Sequence, residues 1–281
     1  MCILVALYAI ARVLQLFHGK IPLLAIVVLH VLPPAIFALL HGAMLYRLRG
    51  IVVFTCLALI TGNAFENLGI LTGFPFGEYY FTDAMGPKLF RVPILLGLAY
   101  VGMGYLSWTL GRLILGHARD PLSGYRLVAV PLIAAFLMVA WDLSMDPVWS
   151  TLMHAWIWLR GGAYFGVPVS NFLGWYLTVY VLYQLFALYL RGRSPTTAPL
   201  PAGFWHLAVL FYSVSAAGNV LLTIPTPGPL VTSDPTGAQW KVIDITHTCA
   251  LISIFTMGAF AVLAWARLGE QPALNSGVRS S

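Results

Sequence analysis

Acidic residues are scarce in this chain: nine Asp and Glu in 281 residues, with charged residues of both signs making up 9%. A soluble globular protein carries nearer 25%. The shortage excludes an ordinary solvated domain. Cysteine is also scarce. Cys2, Cys56 and Cys249 stand far apart in apolar segments, which excludes a disulfide framework and any metal-ligand spacing. No internal repeat or low-complexity block is present. The first apolar segment lacks a basic run before it and a small-residue cleavage site after it, so it reads as a span and not as a signal peptide.

What remains is apolar. Hydrophobic residues make up 60% of the chain and mean hydropathy is +0.86. At roughly 20 residues per span, the length has room for seven to nine helices. The expected fold is all-α, a polytopic membrane bundle of about eight transmembrane helices. The expected spans are 2–17, 21–45, 51–72, 92–115, 126–147, 170–191, 204–224 and 243–268. They form one transmembrane domain over 1–268, followed by a disordered tail at 269–281. The Trp-rich stretch 148–168 reads as interfacial or re-entrant.

The formal charge of +6 calls for no nucleic-acid partner, because basic residues at cytoplasmic span ends account for it. With the N-terminus inside, the cytoplasmic side collects Arg47, Arg49, Arg112, Arg119, Arg126, Arg191, Arg193, Arg267 and Arg279. The other side holds Lys20, Lys88, Arg91, Arg160 and Lys241. This bias predicts a multi-pass protein of the cell membrane with both termini cytoplasmic. Seven of the nine acids then fall at or near the external face, all but Asp120 and Glu270.

Two of those acids stand in an apolar helix, "AFLMVAWDLSMDPVW". Asp142 and Asp146 are four residues apart and share a helix face. A carboxylate at a helix centre costs about 3 kcal/mol on lenient insertion scales. Two neighbouring carboxyls should not both ionise, and one kept protonated is a general acid. The plainer reading puts both in the headgroup region. In "TGNAFENLGILTG", Asn63, Glu66 and Asn67 share a face, as a hydrogen-bonded acid turned inward or as a polar clasp between helices. In "KVIDITHT", Asp244 and His247 share a face with Thr248, as site groups or as a helix cap beside a packing histidine. Tyrosine and amide stripes at Tyr176, Tyr180, Tyr183 and Gln184, and at Tyr212, Ser215, Asn219 and Thr223, are packing or cavity lining. The loops "GFPFGEYYFTDAMGPKLFRVP" and "TIPTPGPLVTSDPTGAQW" are dense in Gly, Pro and aromatics and read as fixed lids.

The segments "ENLGILTGFPFGEYYFTDAMGPKLFRVP", "WDLSMDPVWS…AWIWLRGGAYFGVPVSNFLGW" and "DITH" resemble the membrane carotenoid-biosynthesis family. That family contains the CruF-type carotenoid 1,2-hydratases and the bisanhydrobacterioruberin hydratases. The resemblance implies addition of water across the terminal 1,2 double bond of an acyclic carotenoid end group, with the substrate arriving laterally from the bilayer. Protonation at C-2 would leave a tertiary cation at C-1 for water to capture. Nothing in the reaction requires redox chemistry, ATP or a nicotinamide, so no cofactor is expected. The partners expected are the carotenoid, water and other carotenoid-biosynthesis enzymes.

On this reading Asp142 and Asp146 form the acid pair, supported by Glu66 and Asp244. Trp141, Trp149, Tyr79 and Tyr80 supply aromatic faces for the cation. Asn63, Asn67 and His247 complete the substrate and water site. Three rivals stay open: an end-group cyclase, a prenyltransferase using "DLSMD" as half of a magnesium-diphosphate motif, and a proton-coupled transporter. A metal site from Asp142, Asp146, His154, Glu66 and His247 has no recognised ligand spacing.

Overall fold

The computed structural model describes residues 1–270 other than 18, 117, 194, 196, 197, 199, 202, 226 and 227. The expected tail falls almost wholly outside the described residues. The structure is an all-helical bundle with short strands at one end. Its helices are α1 (Cys2–Leu14), α2 (Leu23–Thr72), α3 (Ile94–Ile114), α4 (Arg126–Pro147), α5 (Val169–Leu190), α6 (Phe204–Leu221), α7 (Val242–Ile252) and α8 (Ala259–Glu270). A π-helical turn, Ser253–Gly258, joins α7 to α8. Six of these helical segments are long and apolar enough to cross a membrane, counting Val242–Glu270 as one. The N-terminal helix, Cys2–Phe17, is shorter.

Helix α2 is two helices in one run. Arg47 takes φ 60 and ψ 172, outside helical geometry, and the chain reverses there. The reversal shows in the packing: a Cβ on Gly42 would lie 2.4 Å from Ile51 Cδ1, although nine residues of straight helix would separate them by roughly 13 Å. Each leg is roughly 36 Å long, enough for a bilayer core. The two expected spans 21–45 and 51–72 are these two legs.

Helix α3 is the centre of the bundle. Every residue from Ala99 to Leu113 is buried, as befits a helix apolar on all sides. It packs against α2, α4, α6 and α8. Small residues allow the close approach. A Cβ on Gly102 would lie 2.7 Å from both the Pro34 carbonyl carbon and the Ala35 nitrogen, so α3 rests directly on the α2 backbone.

The strands build a lid over one end of the bundle. Strand β1 (Tyr79–Phe81) follows α2; β2 (Lys88–Leu89) and β3 (Val92–Pro93) form a hairpin before α3. After α4, a π-helical turn over Val148–Leu152 leads into β4 (Trp156–Trp158). Strands β1 and β4 pair antiparallel, Tyr79 opposite Trp158 and Phe81 opposite Trp156. Within the stretch 148–168, Trp156–Trp158 is thus half of a small sheet that ties two loops together. An ion pair from Arg160 to Glu78 at 2.6 Å reinforces it.

The hairpin of β5 (Val231–Ser233) and β6 (Gln239–Lys241) completes the lid. Asp234 organises its turn. Its carboxylate accepts hydrogen bonds from the Thr236 backbone at 2.9 Å, the Thr236 hydroxyl at 2.6 Å, the Ala238 backbone at 3.2 Å and the Trp240 indole at 3.3 Å. Burial acts to raise this acid, but the hydrogen bonds together outweigh it and hold Asp234 below the ordinary range. A lowered folded pKa stabilises the fold above the unfolded value of about 4 and loses that contribution as pH falls through the folded value.

Two outcomes follow for purified protein in detergent. Gly102→Ala should lower the thermal midpoint through overpacking worth about 1–3 kcal/mol. Gly104→Ala should be neutral or stabilising, since its nearest contact would be an ordinary 3.6 Å to the Tyr183 hydroxyl. Equal midpoints for the two would contradict the close α2–α3 contact. Asp234→Ala should be less stable than wild type at pH 7, and the gap should narrow in melts run below about pH 4.

Candidate active site

The last turns of α4 carry Asp142 and Asp146 on one face, turned into the bundle. Each is 1% exposed. Opposite them, in the first turn of α5, stands Asn171. Its single amide nitrogen donates to Asp142 Oδ2 at 3.0 Å and to Asp146 Oδ2 at 2.7 Å. Asp146 Oδ1 accepts the indole N–H groups of Trp156 at 3.2 Å and Trp158 at 3.4 Å. Both indoles come from β4, where alternation turns them to the same side. Asp142 Oδ1 is buried and meets no hydrogen-bond partner.

Glu66, buried in the second leg of α2, completes the cluster. Its Oε1 accepts the Tyr100 hydroxyl at 2.8 Å, and its Oε2 accepts the Tyr79 hydroxyl. Burial, then the neighbouring Glu66, pushes the Tyr79 phenol well above its ordinary range, so Tyr79 remains a donor. Tyr100 is fixed in turn by stacking on Trp175, with ring centroids 4.7 Å apart. None of the three carboxyls has a basic ion-pair partner among the described residues.

Glu66, Asp146, Asn171 and Tyr79 border a cavity of about 20 Å³ whose remaining wall includes Trp156, Trp158, Trp175, Leu96 and Met145. That is room for one water. A second cavity of about 50 Å³ adjoins it and shares Leu96, Met145 and Trp156. Trp141 and Trp149 line this second space together with Tyr8, Arg12 and His30. On the opposite side, at the surface, lies a polar hollow of about 510 Å³ lined by Gly77, Glu78, Arg160 and Ser170 among others. Trp158 stands between the hollow and the acids. The Cβ position of Gly77 is 3.7 Å from Trp158 Cζ3, while the same indole's nitrogen reaches Asp146.

The structure thus brings Asp142, Asp146, Glu66 and Tyr79 together and places Trp141 and Trp149 next door. It leaves other candidates outside. Asp244 and His247 are exposed at the start of α7: the helix face they share turns outward, and Ile245 and Cys249 face the bundle. Tyr80 is 47% exposed because strand alternation turns it away from Tyr79. Asn63 and Asn67 bond each other at 3.0 Å, and Asn67 Oδ1 accepts the Arg91 backbone N–H at 3.2 Å. They clasp the loop before α3 instead of lining the cavity. His154 is exposed, so the five possible metal ligands do not converge.

Sequence reasoning passed over Asn171, Tyr100, Trp156, Trp158 and Trp175. The period-two "WIW" was a strand signal for two of them. Asn171 and Tyr100 carried none, being single polar groups on apolar helices.

Residues 22–232 match the family described as carotenoid biosynthesis protein. The bisanhydrobacterioruberin hydratase of Haloarcula japonica is 31% identical over 122 residues, which cover 43% of this chain and 39% of that protein. The shared region is thus well under half the length of that relative. No solved structure matches the chain.

The Asn171 bridge is testable by stability alone. Asn171→Leu should cost about 1–3 kcal/mol by leaving buried acceptors unpaired. Its effect and that of Asp142→Leu should depart from additivity by about 0.5 kcal/mol or more. Strict additivity in thermal unfolding would show that the three side chains do not act as a unit.

Proposed function

This chain belongs to the carotenoid biosynthesis protein family, and from that membership we propose that it is a carotenoid hydratase, adding water across the terminal 1,2 double bond of an acyclic end group. The observation that carries the reading is the one-water cavity bordered by Glu66 and Asp146 and adjoining an aromatic space. The hydratase name of the Haloarcula relative supports the reaction class.

The roles follow from hydrogen-bond inventory. Asp146 accepts three donors and is provided for as a carboxylate. Asp142 accepts one and keeps an unpartnered oxygen, which is where a proton sits. The Asn171-bridged pair gives that proton to C-2, and the electrons of the C=C bond form the new C–H bond. The tertiary cation at C-1 lies against indole faces, which attract positive charge. Water held in the small cavity attacks C-1, and Glu66, aimed by Tyr79 and Tyr100, takes the proton the water loses. Once that proton passes from Glu66 back to the pair, the sum is alkene plus water giving a tertiary alcohol, with no electron donor or acceptor.

The two substrates approach from different sides. The hydrocarbon end group enters through the space lined by Trp141, Trp149 and Met145, and water enters from the polar hollow past Trp158. Both cavities are smaller than an end group, so Met145 and Leu96 must turn aside as the alkene arrives.

The test is expression in a carotenoid-producing host with pigment mass spectrometry. Wild type should add the mass of one water, labelled when the medium contains ¹⁸O water, and D₂O should place one deuterium at C-2. Asp142→Asn, Asp146→Asn and Glu66→Gln should each lower product by 100-fold or more at unchanged membrane levels. A product isomeric with its precursor and free of ¹⁸O would replace hydration by cyclisation. An oxygen derived from O₂ would reject both.

A further inference from the structure

At the end of the bundle away from the carboxyl cluster, three arginines face one groove. Arg47 and Arg49 come from the reversal in α2, and Arg193 comes from just beyond α5. The groove has a volume of about 970 Å³, and Tyr46, Tyr189, Val52 and Val53 form its walls. All three arginines are exposed, and among the described residues none has an ion pair to a carboxylate. The two acids of this end, Asp120 and Glu270, already pair with Arg126 and Arg267 at 3.3 Å and 2.6 Å.

Two of the cations are constrained, Arg193 through its side chain and Arg47 through its backbone. Arg193 lies over the Tyr189 ring, 4.7 Å from its centroid, and also donates to the Tyr189 carbonyl. Arg47 adopts a positive φ of 60, a costly conformation for a non-glycine residue. It is kept in a reversal that Gly50 makes tight by packing on Tyr46 Cβ. Beside the charges the wall is aliphatic and open: Leu48 is 72% and Val52 48% exposed, and the second leg of α2 carries this apolar surface along its length.

We propose that this groove is a binding site for an anionic phospholipid, with the phosphate among Arg47, Arg49 and Arg193 and an acyl chain along Leu48 and Val52. A cationic rim at the end of spanning helices fits a lipid phosphate. The aliphatic wall distinguishes the occupant from a free anion, which would gain nothing from Leu48 or Val52.

Native mass spectrometry of the detergent-purified protein tests this, using phosphatidylglycerol, phosphatidylcholine and inorganic phosphate as separate probes. Wild type should retain phosphatidylglycerol at least tenfold better than phosphatidylcholine. Arg193→Gln alone should weaken phosphatidylglycerol about fivefold, and the triple change Arg47→Gln, Arg49→Gln and Arg193→Gln about 100-fold. Phosphatidylcholine, whose choline cation offsets its phosphate, should weaken less than phosphatidylglycerol in both variants. The single variant carries the test if the triple one does not fold. Equal retention of the two lipids, or unchanged phosphatidylglycerol binding in Arg193→Gln, would overturn the site. Full displacement of the lipid by an equal concentration of inorganic phosphate would overturn the lipid and leave a simple anion site.

Discussion

Placing three carboxyls inside an apolar bundle is the constraint around which this protein is arranged. A buried carboxyl group is costly unless its oxygens are met, and among the described residues no basic side chain pairs with them. The provision is made by neutral donors: one amide from Asn171, two indoles from β4 and two phenols from Tyr79 and Tyr100. Neutral donors orient carboxyl oxygens without fixing their charge. A guanidinium in the same place would lock the acids as carboxylates.

Each donor needs its own support, and the support extends outward to the scaffold. Tyr100 is set by α3 and Trp175. The two indoles are set by pairing of β4 with β1, which also sets Tyr79. Helix α3 can hold Tyr100 at the right depth because Gly102 lets it lie on the α2 backbone. The site therefore depends on contacts well away from the acids, and its side chains come from α2, β1, α3, α4, β4 and α5.

The helical architecture was readable from hydropathy because lipid demands long apolar runs whatever the packing inside. The acid pair was readable for the complementary reason, since Asp142 and Asp146 stand out against an apolar background and four-residue spacing fixes their shared face. Direction was harder. Asp244 and His247 also share a face, but a helix face turns inward or outward according to its neighbours, and here Ile245 and Cys249 take the inner side. The same limit applies to Asn63 and Asn67, whose spacing suits a cavity or a clasp equally well and whose loop contact decides it. Asn171 was invisible because its role exists only through α4, which lies beside it in space and not in sequence.

Strands β1 and β4 are only three residues each, yet they join the loop after α2 to the loop after α4. This has a consequence for the order in which the molecule is made. A nascent chain that has completed α1 to α4 already contains Glu66, Tyr79, Tyr100, Asp142 and Asp146, but neither Asp146 nor β1 yet has its partner. Only when Trp158 and Asn171 leave the ribosome do the donors to the pair become available. Until those residues have been made, the two acids of α4 lack the donors that meet them in the folded protein.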